Sequence, residues 1–272
     1  MSMKLMYITN DPRVAVIAEG CGVDRIFIDL ETVGKRERQA PRNTVISDHS
    51  IEDIAAVKAV LNKAELLVRV NPVYFGSPKE IDRVCEGDAD IIMLPYFKTV
   101  EEVRTFIKLV GGRKRICLLF ETPEALELAD GILSLGGIDE VFIGLNDLHI
   151  GCGMRFMFEP LADGTVEKAC CLFARYGIPY GFGGIARLDS GALKARLILG
   201  EHYRLGSGAV ILSRSFTSAA DTRDYGAVED NIRTGVAEIR EYESILERAD
   251  GEFFENNRKE LVRCVNSIVE GL

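Results

Sequence analysis

The sequence predicts an α/β protein built as a (β/α)8 TIM barrel with extra C-terminal helices. Three observations predict it. Short apolar runs alternate with helical patterns from Lys4 to Leu205, and eight such runs can be counted. The runs are apolar throughout, which suits parallel strands covered on both faces. Their C-terminal ends collect Glu31, Arg69, Glu121, Asp147 and Gly183, while their starts look unremarkable. In a barrel those ends form one ring, and a doubly wound open sheet is the alternative.

Lys4–Ile8 is the first strand, followed by a helix start at Asn10-Asp11-Pro12 and a glycine stop at Gly20 and Gly22. Residues 25–31 are the second strand. The polar, charged stretch 32–48 after it has no period, and a loop of that length in a compact domain is usually functional. Ser50 and Asp53 stand close to capping-box spacing, with Ile54, Val57 and Leu61 on one helical side. Residues 65–71 form a strand ended by Pro72, 78–85 a helix, 91–95 a strand and 100–110 a helix. The fifth strand, 116–120, and the sixth, 141–144, flank a helix over 122–129 that has Pro123 at a permitted first-turn position. A helix over 165–176, a strand over 179–184, a helix over 188–199 and a strand over 202–205 complete the count. Residues 1–220 are read as the barrel and 221–272 as a helical extension. Its two patterns, 228–249 and 252–269, cover a barrel end or pack on another subunit of a homo-oligomer.

At 272 residues and 47% hydrophobic content the chain can fill one large α/β core. With 33 basic and 42 acidic side chains its net charge is -9, and without a long basic run it is no nucleic-acid or anionic-membrane binder. Small molecules are the expected partners. The 7 cysteines are odd in number and include no CxxC pair. With no secretory leader in view they read as reduced thiols of a cytoplasmic protein. No apolar run approaches the roughly 20 residues that cross a bilayer.

The chemistry concentrates around Glu121 and Asp147. Each follows an apolar strand, on either side of one helix. Parallel neighbouring strands end roughly 5 Å apart, so both carboxylates can converge on one point. Two carboxylates, with waters and a substrate oxygen, are a usual donor set for Mg2+ or Mn2+. The bland alternative is that both merely terminate strands and cap helices. Arg69, at the end of the third strand, offers a planar fork for a carboxylate, or a structural pair with Glu31 or Glu121.

A resemblance joins these residues. Asp29-Leu30-Glu31, Arg69-Val70-Asn71-Pro72, Asp90-Ile91-Ile92-Met93-Leu94-Pro95, Phe120-Glu121-Thr122-Pro123-Glu124-Ala125-Leu126 and Ile143-Gly144-Leu145-Asn146-Asp147-Leu148 follow a known order and spacing. The chain resembles, over about residues 25–212, the HpcH/HpaI aldolase and citrate-lyase beta-subunit family of the phosphoenolpyruvate/pyruvate superfamily. The resemblance implies a divalent metal (Mg2+, or Mn2+/Co2+) on Glu121 and Asp147, and Arg69 on the substrate carboxylate. The metal would chelate a 2-oxo acid and stabilise a pyruvate-type enolate as a carbon–carbon bond breaks, which is class II aldolase chemistry. Gly144, Asn146, Gly183 and Gly184 are the further expected substrate contacts. Gly183-Gly184, like Gly206-Ser207-Gly208, stands where barrels bind phosphate or carboxylate through backbone N–H groups.

Two positions depart from the family pattern. Thr32 stands where the pyruvate aldolases carry a histidine and the citrate-lyase branch an acidic residue, and Leu119 replaces a glutamine. His49, the histidine of the second βα loop, is therefore the candidate base, with Glu31 or a water on the metal as rivals. His149 and His202 read as packing residues, His202 opening a strand at the bottom face. The expected activity is a metal-dependent carbon–carbon lyase. Alternatives are a lyase of acyl-CoA (citryl- or malyl-CoA-like) thioesters and an inactive barrel that only binds.

Overall fold

The computed structural model describes residues 2–35, 48–216 and 224–272. Its strands are β1 (Lys4–Ile8), β2 (Arg25–Asp29), β3 (Glu65–Arg69), β4 (Ile91–Leu94), β5 (Arg115–Phe120), β6 (Glu140–Ile143), β7 (Tyr180–Phe182), β8 (Gly184–Ile185) and β9 (Ala209–Leu212). All pair in parallel, in the order β7-β6-β5-β4-β3-β2-β1-β9-β8. β7 and β8 are two halves of one strand, broken at Gly183, which takes a φ of +58 and where a Cβ would lie 2.7 Å from Leu145 Cδ1. The last strand runs beside both halves: Gly208 N donates to Tyr180 O at 2.8 Å and Ser213 N to Ile185 O at 2.8 Å. The sheet thus curls into a nearly closed barrel, as the apolar runs predicted.

The two-residue period of a strand sorts each side chain inward or outward. Ile26, Ile28, Leu66 and Val68 pack outward under the helices, and Met6, Phe27, Leu67, Met93, Leu119 and Phe142 fill the barrel. The same inward series puts Arg25, Glu65, Arg115 and Glu140 at the strand starts. Arg25 reaches Glu65 at 2.8 Å and Glu140 at 2.7 Å, and Arg115 meets Glu65 at 2.5 Å. The strand starts are therefore a charged plug, contrary to their plain appearance in sequence, where residues that meet in space lie far apart.

Helices cover the barrel. Residues Pro12–Gly20 start at an Asp11 cap. Val100–Val110 has the reciprocal Thr99/Glu102 capping box and stops at left-handed Gly111. The Ser50 box is half formed: Ser50 N donates to Asp53 Oδ2 at 2.7 Å, but Ile51 is the cap of Glu52–Lys58 and makes no side-chain bond. The helix after β5 is split into Pro123–Glu127 and Ala129–Leu133.

One predicted element is wrong. Residues 202–205 are the end of helix Ala195–Leu205, and the final strand is Ala209–Leu212. The helical stop is Gly206, at φ +70, and the His202 ring is fully buried, stacked 3.7 Å from Phe182. Gly206-Ser207-Gly208 consequently precedes the last strand, at the barrel end opposite the carboxylates.

Helix Tyr225–Leu246 packs against Pro12–Gly20 and Ala195–Leu205, the place of an eighth barrel helix, and Arg240 ties it to Asp24 and the Met3 carbonyl. Helix Gly251–Glu270 lies on Ala195–Leu205, where Gly200 leaves room for Asn257. The expected boundary near residue 220 falls outside the described residues. Among the described residues no helix is long and apolar enough to cross a membrane.

Candidate active site

β5 and β6 are neighbours in register, Phe120 beside Ile143, so the residues that follow them emerge together at one rim. Glu121 is buried, and its Oε1 accepts the Tyr96 N–H at 3.0 Å. Tyr96 holds a left-handed φ of 48, a costly conformation that such sites often contain. A Cβ on Gly144 would stand 2.6 Å from Glu121 Oε2, so glycine is what lets this carboxylate lie across the end of β6. Helix Leu145–Gly151 begins immediately after and carries buried Asp147 in its first turn. Both carboxylates line a cavity of about 950 Å³ and also a cleft of about 240 Å³.

Two carboxylates behind a glycine-cleared space fit a hard divalent cation that keeps part of its water shell. Among the described residues no group of three or more His, Cys, Asp or Glu side chains gathers for metal binding. A cation here would have to take its remaining ligands from water or substrate.

A second cluster stands on β2 and β3, whose register sets Asp29 beside Arg69. Arg69 Nε donates to Asp29 Oδ1 at 2.9 Å and Nη2 to Oδ2 at 2.8 Å, a bidentate pair. The third nitrogen, Nη1, is 3.4 Å from Glu31 Oε2. Lys35 Nζ lies 2.6 Å from Asp29 and 3.5 Å from Glu31. Two cations and two carboxylates thus balance in a nearly dry pocket. Burial pushes the Asp29 carboxyl up, but Arg69 and Lys35 outweigh it and hold it well below the usual range. Burial likewise works against the Arg69 charge, and Asp29, Glu31 and Glu121 overcome it.

His49 Nδ1 accepts the Asp29 backbone N–H at 3.0 Å, and the ring lines the large cavity. Burial lowers its pKa below the ordinary histidine value, and Lys35 adds to this against the pull of Asp29, Asp53 and Asp48. Thr32 is exposed and bound to Asn71 Oδ1 through its N–H at 2.8 Å. His149 is buried within its helix on the Leu145 carbonyl.

Gly144, Asn146, Gly183 and Gly184 all line the cavity. The N–H of Gly144 is committed to Phe120 O at 3.0 Å and that of Gly183 to Ile143 O at 2.9 Å, so neither is left for an anion. Asp29, quoted in the Asp29-Leu30-Glu31 motif but not as a site residue, lines the same cavity, as do Lys35 and Arg214, which were not expected there. Asp29 had a signal, since it lies two residues beyond inward Phe27. Lys35 lies in the aperiodic, charged stretch 32–48 of the sequence and had none, and Arg214 was hidden by the misplaced last strand.

The profile of the HpcH/HpaI aldolase/citrate lyase family matches residues 4–156. A search of curated proteins found no match. Among solved structures, the HpcH/HpaI aldolase from Desulfitobacterium hafniense DCB-2 aligns with a TM-score of 0.59 at 18% identity, over 78% of this chain and 86% of that one. A HpcH/HpaI aldolase/citrate lyase family protein from Burkholderia cenocepacia J2315 gives 0.58 at 16% identity, over 78% and 87%. A variant of the citrate synthase SbnG gives 0.57 at 18% identity, over 88% and 94%. At these identities the structures speak for the fold alone. With more than half of its length matched by the profile, the chain belongs to the HpcH/HpaI aldolase/citrate lyase family, whose members are lyases.

Proposed function

We propose that this protein is a divalent-metal-dependent carbon–carbon lyase of the class II aldolase type, acting on a 2-oxo acid through a pyruvate-type enolate. The observation that carries the reading is the convergence of Glu121 and Asp147 on one cavity, with Gly144 clearing the space between strand end and helix. Those two carboxylates would hold the cation. The chemistry a divalent metal would supply there is polarisation of the 2-oxo acid carbonyl and compensation of the developing negative charge.

The chain's own residues supply orientation. Arg69 is fixed by Asp29 along one edge and keeps Nη1 for the substrate carboxylate, with Lys35 adding positive charge beside it. Phe27, Leu119 and Phe142 form the apolar floor that keeps water from beneath the enolate. Glu31, 3.5 Å from Lys35 and 3.4 Å from Arg69, would be the carboxylate that moves a proton at the substrate.

Exchange of pyruvate methyl protons in D2O, followed by NMR, tests this reading. Exchange should occur with Mg2+, Mn2+ or Co2+ and stop on chelation. Absence of exchange with all three would leave a site that only binds. Tight binding of free coenzyme A would instead place the substrate among acyl thioesters.

A further inference from the structure

His49 makes one hydrogen bond to a described residue, and its direction decides what the ring can do. Nδ1 lies 3.0 Å from the Asp29 backbone nitrogen, which can only donate. A neutral imidazole has one lone pair and one N–H. With the lone pair on Nδ1 facing a donor, the proton of the neutral ring resides on Nε2. Nε2 makes no hydrogen bond to any described residue, while the ring lines the cavity shared with Arg69, Glu121 and Asp147. A base needs a lone pair directed at its proton, and this ring has already committed its own to the backbone.

The tautomer is locked from both sides. Asp29 is held by Arg69 and Lys35, so the peptide that donates to His49 hangs from a fixed carboxylate hub. Protonating Nδ1 would set N–H against N–H at that contact. Burial is the largest influence on the ring's pKa and lowers it, with Lys35 acting the same way, while Asp29, Asp53 and Asp48 favour the charged ring.

We propose that His49 is a fixed hydrogen-bond donor, presenting Nε2–H to the substrate oxygen that gains charge, and is not the base of the reaction. The ring transfers no proton: it holds one hydrogen bond that strengthens as the oxygen becomes anionic. This rests on the enolate reading above, but the tautomer can be read without turnover.

The experiment is two-bond 1H–15N NMR of protein labelled with 15N-histidine, near pH 7, before and after oxalate, a planar mimic of the enolate, is added with Mg2+. The expected spectrum shows the His49 protein as the Nε2–H tautomer, with Nε2 moved by oxalate. An Nδ1–H tautomer, an imidazolium, or an Nε2 signal indifferent to oxalate overturns the proposal. Kinetics give a second arm. Removing one donor of this kind typically costs about 100-fold or more in kcat. His49→Ala should lose that much, and His49→Gln, which keeps an N–H near the Nε2 position, should recover to within about tenfold of the parent. Equal loss in the two variants, both folded by circular dichroism, argues for a base and against the donor. A parent that shows the Nε2–H tautomer and the oxalate response without proton exchange would count against the lyase reading while supporting the donor.

Discussion

Strands β2 and β3 carry an ion pair at each end, and the two ends do different work. At their start Arg25 stands beside Glu65, and at their end Asp29 stands beside Arg69, with the signs exchanged between strands. The arginine at the bottom is saturated: Nε and Nη2 donate to Glu65, Nη1 and Nη2 to Glu140, and Nη1 also to Met6 Sδ. The arginine at the top commits Nε and Nη2 to Asp29, and among the described residues its Nη1 has a 3.4 Å ion pair with Glu31, at the wall of a cavity of about 950 Å³. Each end buries one partner and leaves the other partly exposed: Arg25 is 2% exposed against 30% for Glu65, and Asp29 3% against 14% for Arg69. Residual hydrogen-bonding capacity facing a cavity distinguishes the ends. A buried charge whose donors are all answered is structure, and one with an unanswered edge is a candidate binder.

The largest effect expected from this comparison is on stability, at the bottom. Arg25→Met takes the buried partner from Glu140 and leaves Glu65 to Arg115 and Lys4, and should lower the unfolding free energy by about 3 kcal/mol, the low end for a broken buried pair because the partners are partly solvated. Metal and pyruvate affinity of the folded fraction should be unchanged, as urea titration and calorimetry can establish. Equal losses of stability and ligand affinity would erase the distinction.

Arg69→Lys should act the other way. It keeps the charge but gives up the fork that fixes it to Asp29 and, with it, the placement of Nη1, so pyruvate binding should weaken by about tenfold, the lower end for one hydrogen bond between charged groups. Binding equal to the parent's would mean that Arg69 serves only Asp29.

The smallest effect is a pH dependence. Burial alone would raise the Glu65 carboxyl, but Arg25 and Arg115 bring it down to about 2. Its native pKa is therefore below the unfolded value of about 4.3. The unfolded chain binds the proton first, so this stabilisation is present above about pH 4.3 and fades as pH falls towards 2. Glu65→Gln should flatten that part of the acid-unfolding curve, whereas a curve parallel to the parent's would show that the bottom pair does not couple to protons.

How much of this was legible in the sequence follows from the same strands. The barrel was readable because runs such as Ile91-Ile92-Met93-Leu94 are apolar on both faces, and Glu121 and Asp147 because each closes such a run. The plug was not, since Arg25, Glu65 and Glu140 look like ordinary strand-start charges until the ring brings them together. The last strand was missed because His202-Tyr203-Arg204-Leu205 is as apolar as the final turn of an amphipathic helix requires, and only Gly206 marks the stop. The residues around His49 were visible as types, but the direction of its bond to Asp29 depends on backbone placement that no spacing encodes.

On the proposed reading the top of the barrel would hold a cation where the bottom pairs its own counter-charges, and titrating the protein with Mn2+ while following the free ion by electron paramagnetic resonance tests this most directly. The parent should take up one Mn2+ per chain, and Glu121→Gln and Asp147→Asn should each weaken that uptake by at least about tenfold with the circular dichroism spectrum unchanged. Uptake in either variant equal to the parent's, or none in the parent, would contradict it.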